Sequence, residues 1–524
     1  MTVIKLKCTY CNQLVEEIKS YTFGDTVFST YKCGHTITRK AVASNKKPII
    51  SADGYTPHSY QEEAYDFSVK AGFNVLQRLE MRLGKGVVTC MILDRHPELW
   101  PAVIVCKKSL INKYLKEILR WTNGRVVPQL LEKGRDIPFK SFPVFVCSYN
   151  MLGKMLPKFK AANIEPKIII ADEFQHLVNR DAQRTKAVFE AVEMWPDIIR
   201  HATSGTPFRN HAAEYFTPLN WIRPDRFHTY EHYVMDFVDV VWDGDKNRLA
   251  GIKKSAMPRF KQLTDDFIIN MDREKVAPHL PKVNREIIMC QMDEIVKDAY
   301  NQNLESFLEE YNKSQNIAPG SSILKYLTMM RHLVGVAKIK SVMEWVGDFM
   351  YDTDRKLTIF VHHRDVGQRM FQIAQALSAS TGIEKPLQLT SDMSVDQQTE
   401  TLAKFAGKDH RLGIVSTKAF NEGTDMQFCD AFAMAEQQWS PVEEEQAEAR
   451  FLGEGAISQH VDGMYFIAMK SIDELMVNIK AVKWQGIKQT LSGDTSQHKW
   501  TEQGMMKAVA DAVFAQGRSG IWRA

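Results

Sequence analysis

Four groups of residues have types and spacings suited to chemistry. Residues 79–89 read LEMRLGKGVVT, with Gly84-Lys85 after a short turn and before a run that opens a helix. Backbone N–H groups and the helix dipole at such a point attract phosphate, and Lys85 adds a point charge. The loop is incomplete. Gly86 stands where a hydroxyl would ligate magnesium. Taken alone, the stretch fits a working nucleotide site with an odd metal shell, a decaying site, or a coincidence. The second group is KIIIADEFQH, an apolar run ending in Asp172-Glu173. Two carboxylates at the end of a buried strand are costly unless they are used. In phosphoryl-transfer sites one holds magnesium and the next polarises the attacking water, whereas the bland alternative is a helix N-cap pair. The third group, Ser204-Gly205-Thr206-Pro207, follows another short run, 32 residues beyond Asp172.

The fourth group lies at the N-terminus. Cys8 and Cys11 form a Cys-x-x-Cys knuckle, and Cys33 and His35 follow after 21 intervening residues. Four such donors suit a tetrahedral zinc ion with no open position, hence a structural site. Few apolar residues lie between the pairs, so so small a unit needs the metal to fold. The alternative is four unrelated residues in an irregular terminus. Residues 1–50 carry eight lysines and arginines against three acidic residues, within a chain whose net charge is only +4. A basic module suits nucleic acid, or is simply a solvated face.

Length and composition frame these groups. The 524 residues suggest three or four structural units, and 44% hydrophobic with 25% charged residues is ordinary for a globular protein. Eight cysteines do not make a disulfide scaffold; Cys106, Cys147 and Cys429, in or beside apolar runs, read as core. The start lacks the apolar centre of a signal peptide, and no run of 18 apolar residues occurs. A soluble intracellular protein with no membrane partner is expected, in the cytoplasm of a bacterium or of a phage-infected host.

The elements that must position the chemical groups can be read from periodicity. Short apolar runs recur at 101–106, 142–149, 167–173, 357–363, 412–420, 430–436 and 463–470. Runs of this length, rich in Val and Ile, read as strands buried on both faces. Between them lie amphipathic stretches such as SLINKYLKEILRW, residues 109–121. This alternation predicts an α/β fold with parallel sheets. The strands fall into two groups, near 73–205 and 357–470, joined by a charged, mostly helical segment over roughly 225–350. In parallel sheets ligands collect beyond the carboxyl ends of the strands, where Lys85, Asp172-Glu173 and Ser204 fall.

In this order the motifs resemble those of a superfamily 2 helicase-like ATPase of the Swi/Snf branch, from about residue 55 to 480. PHSYQEEAYDF is similar to the segment whose glutamine reads adenine, here Gln61. LEMRLGKG is similar to the loop Glu-Met-Gly-Leu-Gly-Lys-Thr. PAVIVCKKSLINKYLKEILRW resembles motif Ia, VFVCSYNML motif Ib, and ADEFQHLVN the Asp-Glu-x-His box, with Gln175 for His. LTIFVHH resembles motif IV, GIVSTKAFNEGTDM motif V, and QWSPVEEEQAEARFLGEG motif VI. The type most similar is the compact annealing helicase or a phage-encoded relative.

The resemblance implies two RecA-like parallel-sheet lobes with helical insertions between them, plus the small N-terminal zinc-ribbon module. The expected divisions are 1–46 for the ribbon, 47–275 for the ATP-binding lobe, 276–490 for the insertion and second lobe, and 491–524 for a tail. It implies ATP and Mg2+ as cofactors, beside Zn2+ in the ribbon. Lys85, Asp172, Glu173, Gln446 and Arg450 would be catalytic. Gln61, Leu83, Gly84, Lys85, Gly86 and Asp172 would hold the magnesium nucleotide. Ser109, Ser148, Tyr149, Ser204, Thr206, Ser416 and Thr417 would contact DNA. The implied function is an ATP-dependent translocase or helicase-like motor on double-stranded, forked or branched DNA, in replication, recombination or repair, alongside a replication or recombination protein. Two departures oppose full activity: Gly86 replaces the magnesium-binding threonine, and Gly453 stands where motif VI has its second arginine. They leave open a catalytically weak or dead clamp that holds a DNA junction or a partner protein.

Overall fold

The computed structural model describes residues 5–7, 14–23, 26–31, 36–40, 49–205, 212–242, 247–313, 321–381, 385–417, 419, 425–439, 441–477, 509 and 513. Two parallel sheets dominate it. The first has seven strands in the order Ile268–Met271, Val75–Leu79, Ile199–Ser204, Ile168–Asp172, Ala102–Cys106, Val144–Ser148 and Pro128–Leu131, every pair parallel. The runs VLQRL, AVIVC, VFVCS and IIIAD are buried along their whole length. That follows from helices covering both faces of the sheet. One face packs on Phe145, Phe159, Phe174 and Trp221, the other on Val88, Ile104, Ile111 and Ile118.

The second sheet has six strands in the order Lys282–Cys290, His460–Ala468, Ala431–Met434, Leu357–Val361, Leu412–Ser416 and Leu387–Leu389, again all parallel. Each of the seven apolar runs marked in the sequence overlaps one of the strands of the two sheets. The helical pattern at 109–121 becomes the helix Ile111–Trp121, which buries Ile111, Tyr114, Ile118 and Trp121. Cys90, Cys106, Cys147, Cys290 and Cys429 are free and buried.

The segment between the two groups departs from the helical connection expected of it. It contains three long helices, Glu294–Lys313, Ser321–Ala337 and Ile339–Asp352, but it also gives one strand to each sheet. Ile268–Met271 is only four residues long, and Lys282–Cys290 has a mostly exposed burial pattern. Both are edge strands, so neither produces a continuous apolar run. Val238–Trp242 and Asn247–Ile252 add a small antiparallel hairpin.

At the N-terminus, Lys5–Lys7, Leu14–Phe23, Thr26–Tyr31 and Thr36–Lys40 form an antiparallel meander in chain order. Cys8, Cys11, Cys33 and His35 lie outside the described residues. From the expected tail, Val509 and Val513 are buried with Tyr300, Phe307 and Met476, which ties it to the helical insertion and the second lobe. Among the described residues no helix is long and apolar enough to cross a membrane.

Candidate nucleotide cleft

The first lobe builds its side of the cleft from the ends of adjacent strands. Strand Val75–Leu79 runs into the loop Glu80–Gly84, and Lys85 opens the helix Lys85–Arg95. Gly84 caps that helix in the left-handed region at φ 75°. A Cβ there would lie 2.2 Å from the Gln61 amide nitrogen, so glycine serves both the dihedral and the close approach. Gln61 is nearly buried. It donates through Nε2 to the Leu83 carbonyl at 3.0 Å and accepts from the His58 N–H at 2.9 Å, pinning the loop from the side. Gly205 leaves room for the lysine, since a Cβ at that position would stand 3.2 Å from Lys85 Nζ.

The carboxylates at the end of strand Ile168–Asp172 share this lysine unequally. Lys85 Nζ pairs with Glu173 Oε1 at 2.9 Å, and both side chains are largely shielded from solvent. Gln175 Nε2 donates to Glu173 Oε2 at 2.5 Å, and the fully buried Ser204 donates through Oγ to Gln175 Oε1 at 2.6 Å. One polar chain therefore joins the loop, the carboxylate box and the end of the next strand. Thr203 Oγ1 donates to Asp172 Oδ1 at 2.7 Å. Burial and the neighbouring Glu173 charge push Asp172 up to about 6, against the opposing pull of Lys85 and the Thr203 and Tyr114 hydroxyls. Burial also acts to raise Glu173, but Lys85 and Gln175 outweigh it and hold that carboxyl down at about 2. Glu173 adopts the left-handed backbone region at φ 53°, an uncommon position for a side-chain-bearing residue.

The second lobe closes the opposite wall with Asp425, Gln427, Gln446, Ala449, Arg450, Gly453 and Glu454. Lys85, Asp172, Glu173, Gln446 and Arg450, marked from widely separated motifs, thus line one cleft. Contacts cross it. Arg82 Nη1 meets Asp425 Oδ1 at 2.5 Å, and Arg82 Nε donates to the Ala449 carbonyl. His58 pairs with Glu454, whose Oε1 also lies 3.7 Å from His279 Nε2.

The hydroxyls expected to meet DNA divide into two groups. Ser109, Ser416 and Thr417 are partly accessible. Ser148, Tyr149 and Ser204 are buried. The Tyr149 hydroxyl donates to the Asp172 carbonyl at 2.5 Å and Ser204 donates to Gln175, so these two brace the carboxylate box. Ser148, Tyr149 and Ser204, expected to contact DNA, thus offer little surface to a backbone phosphate in this structure. Thr206 lies outside the described residues.

The cleft also contains groups that the motifs did not mark. A Cβ on Gly86 would lie 2.1 Å from Glu117 Oε2, so a carboxylate of helix Ile111–Trp121 occupies the side-chain space of that position. Glu117 lines the cleft, whereas Thr89, one turn beyond Gly86, is fully buried and does not. Nothing in the local sequence connects positions 86 and 117; the packing of two helices brings them together. Arg82 did carry a signal, because it stands where the similar loop quoted above has glycine. The donor set fits a magnesium–nucleotide group. It comprises hard carboxylate oxygens from Asp172 and Glu117, a lysine, and a glycine-capped helix N-terminus.

The SNF2-related domain matches residues 21–338, and the helicase conserved C-terminal domain matches residues 337–452. A SWI/SNF-related matrix-associated actin-dependent regulator of chromatin subfamily A-like protein 1 from Xenopus laevis is 23% identical over 453 residues, covering 84% of this chain and 45% of that protein. DNA repair and recombination protein RAD54-like from Drosophila ananassae is 23% identical over 434 residues, covering 72% and 54%. The chain spans about half the length of the curated relatives it matches. Among solved structures, the Sulfolobus solfataricus SWI2/SNF2 ATPase core in complex with dsDNA is similar at 16% identity and a TM-score of 0.40, over 86% of this chain and 95% of that one.

The Gln175 bridge yields a test. Replacing Gln175 with Ala removes hydrogen bonds to Glu173 and Ser204 at once. A hydrogen bond to a charged group is worth roughly 1.5–3 kcal/mol, so the expected loss is about 2 kcal/mol in denaturant unfolding, with the Glu173 carboxyl moving up. An unchanged unfolding midpoint would show that the bridge holds nothing.

Proposed function

The chain belongs to the SNF2-related family, and we propose that it hydrolyses ATP in the cleft between its lobes and uses that cycle to move on double-stranded, forked or branched DNA. The observation that carries this reading is the continuous chain Lys85–Glu173–Gln175–Ser204, facing Gln446 and Arg450 across the cleft. Relatives named for DNA repair and recombination support DNA as the track; a replication or recombination protein as partner is part of the same proposal.

In the proposed mechanism the loop N–H groups and Lys85 bind the phosphates. Gln61, already bonded to the loop, faces the base. Glu173 orients the attacking water and Gln175 fixes the carboxylate. Gln446 and Arg450 complete the site only when the second lobe is closed against it. Magnesium, when bound, neutralises phosphate charge, and Asp172 and Glu117 would hold it. Glu117 thereby replaces the oxygen missing at Gly86. On the DNA side, Ser109, Ser416 and Thr417 are the accessible candidates, and binding through backbone phosphates makes affinity salt-dependent and largely independent of sequence. At the N-terminus we propose a structural zinc on Cys8, Cys11, Cys33 and His35. The Cys-x-x-Cys knuckle and the Cys33-x-His35 pair support it, as four donors that suit a closed tetrahedral site.

Hydrolysis measured without DNA and with single-stranded, duplex and forked DNA tests the motor. Stimulation by duplex or fork is expected; a flat, near-zero rate with tight DNA binding would favour the clamp. Lys85→Ala and Glu173→Gln should each abolish stimulated hydrolysis and leave DNA affinity within about three-fold, because neither group meets DNA in a mechanism that relies on positioning and charge. Either variant hydrolysing normally would remove the cleft assignment. Glu117→Gln should raise the magnesium needed for half-maximal binding of a fluorescent ADP analogue by roughly ten-fold, since one of the ion's few protein oxygens is weakened. An unaltered magnesium dependence would exclude Glu117 from the metal site. Elemental analysis should find one zinc per chain in protein purified without chelator, and none would refute the ribbon.

A further inference from the structure

Arg82 has no role in the mechanism above, yet it occupies the cleft at a backbone cost. Its φ is 72°, in the left-handed region that disfavours a side chain and that glycine adopts freely. It stands where the similar family loop has glycine, so the chain carries an arginine at a position whose conformation favours none. From there the side chain crosses to the second lobe. Nη1 lies 2.5 Å from Asp425 Oδ1 and Nε donates to the Ala449 carbonyl, one residue before Arg450. Among the described residues Nη2 is buried and has no hydrogen-bond partner.

The far wall explains why such a group is needed. Gly453 stands where motif VI has its second arginine, and the turn there has φ 136°. A Cβ on Gly453 would lie 2.2 Å from Gln427 Nε2, so Gln427 fills the space from which a side chain at 453 would enter. The positive group missing from the second lobe has a counterpart on the first lobe, aimed at the same turn.

We infer that Arg82 is a catalytic residue, supplied by the phosphate loop itself, whose Nη2 hydrogens donate to oxygens of the transferring phosphoryl group. The inference rests on the ATPase reading. In that reaction the water oxygen bonds to the γ-phosphorus and the bond to the β–γ bridging oxygen breaks. ADP keeps that oxygen with its electron pair, and the water's proton leaves by way of Glu173. Charge on the three equatorial oxygens spreads during the step, and a planar guanidinium forks onto such oxygens where an ammonium cannot. A simple latch between the lobes uses Nε and Nη1 and leaves Nη2 for a ligand in the cleft that Arg82 lines.

The test compares wild type, Arg82→Ala and Arg82→Lys in three measurements: ATP turnover, ADP affinity, and formation of a stable complex with ADP and aluminium fluoride, which mimics the transferring phosphoryl group. For Arg82→Ala, kcat should fall roughly 10³-fold or more. Its ADP affinity should stay within about three-fold, and the aluminium fluoride complex should be lost. Arg82→Lys should recover less than about a tenth of the rate, for want of the fork. It carries the test if Arg82→Ala does not fold. Retained aluminium fluoride trapping, or a rate loss matched by an equal loss of ADP affinity, would overturn the inference and leave Arg82 as a latch or a binding group. Wild-type protein that neither binds ADP nor hydrolyses ATP would instead overturn the ATPase reading, and this inference with it.

Discussion

Lys85 and Glu173 stand 2.9 Å apart where little solvent reaches either of them. A lysine at the mouth of a phosphate loop and a carboxylate at a strand end are each expensive to shield from water alone, and leaving one unpaired costs several kcal/mol. Much of the first lobe's cleft is arranged around that requirement. Gln175 takes the second oxygen of Glu173, Ser204 takes Gln175, and Thr203 holds Asp172 beside them. Gln61 and Gly84 fix the loop that presents the lysine. The parallel sheet supplies the geometry, because neighbouring strands end at one edge and Thr203 stands in register with Asp172. A phosphate entering this site need not create its charge pattern; it exchanges partners within one already formed.

Across the cleft the forces are weaker. The contacts that span it join Arg82 to Asp425 and His58 to Glu454, with the acidic partners about half exposed. Exposed ion pairs contribute about 0–1 kcal/mol each. Each lobe has its own buried clusters, which no such pair can rival. Rigid lobes facing one another through weak polar contacts are suited to being drawn together by a highly charged ligand and released when it is cleaved.

What the sequence made legible follows from how local each signal is. Central strands such as IIIAD and AVIVC were readable because burial on both faces forces a uniform run of Val, Ile and Ala. Edge strands such as Lys282–Cys290 have no such constraint, and a charged alternation there reads as helix or loop. Lys85 and Asp172-Glu173 were visible because each sits in a short motif at a strand end. Motif position does not say which way a hydroxyl turns, so the bonds of Tyr149 to the Asp172 carbonyl and of Ser204 to Gln175 could not be read from it. Glu117 was out of reach for a different reason: its relation to Gly86 exists only once the helices at 85–95 and 111–121 have packed.

The edge strands also govern the order in which the chain can assemble. Asn284, on the first strand of the second sheet, is bonded to Asp462, on the last, across a separation of 178 residues. In the first sheet Arg78 is bonded to Asp272, 194 residues away, beside the paired strands 75–79 and 268–271. A chain emerging from the ribosome therefore completes neither sheet until nearly all of that lobe has been made. Closing loops of this span is slow, and unpaired parallel strands are prone to wrong partners while they wait. The same strands that finish the lobes thus make the growing chain a natural client for chaperones until residue 468 has emerged.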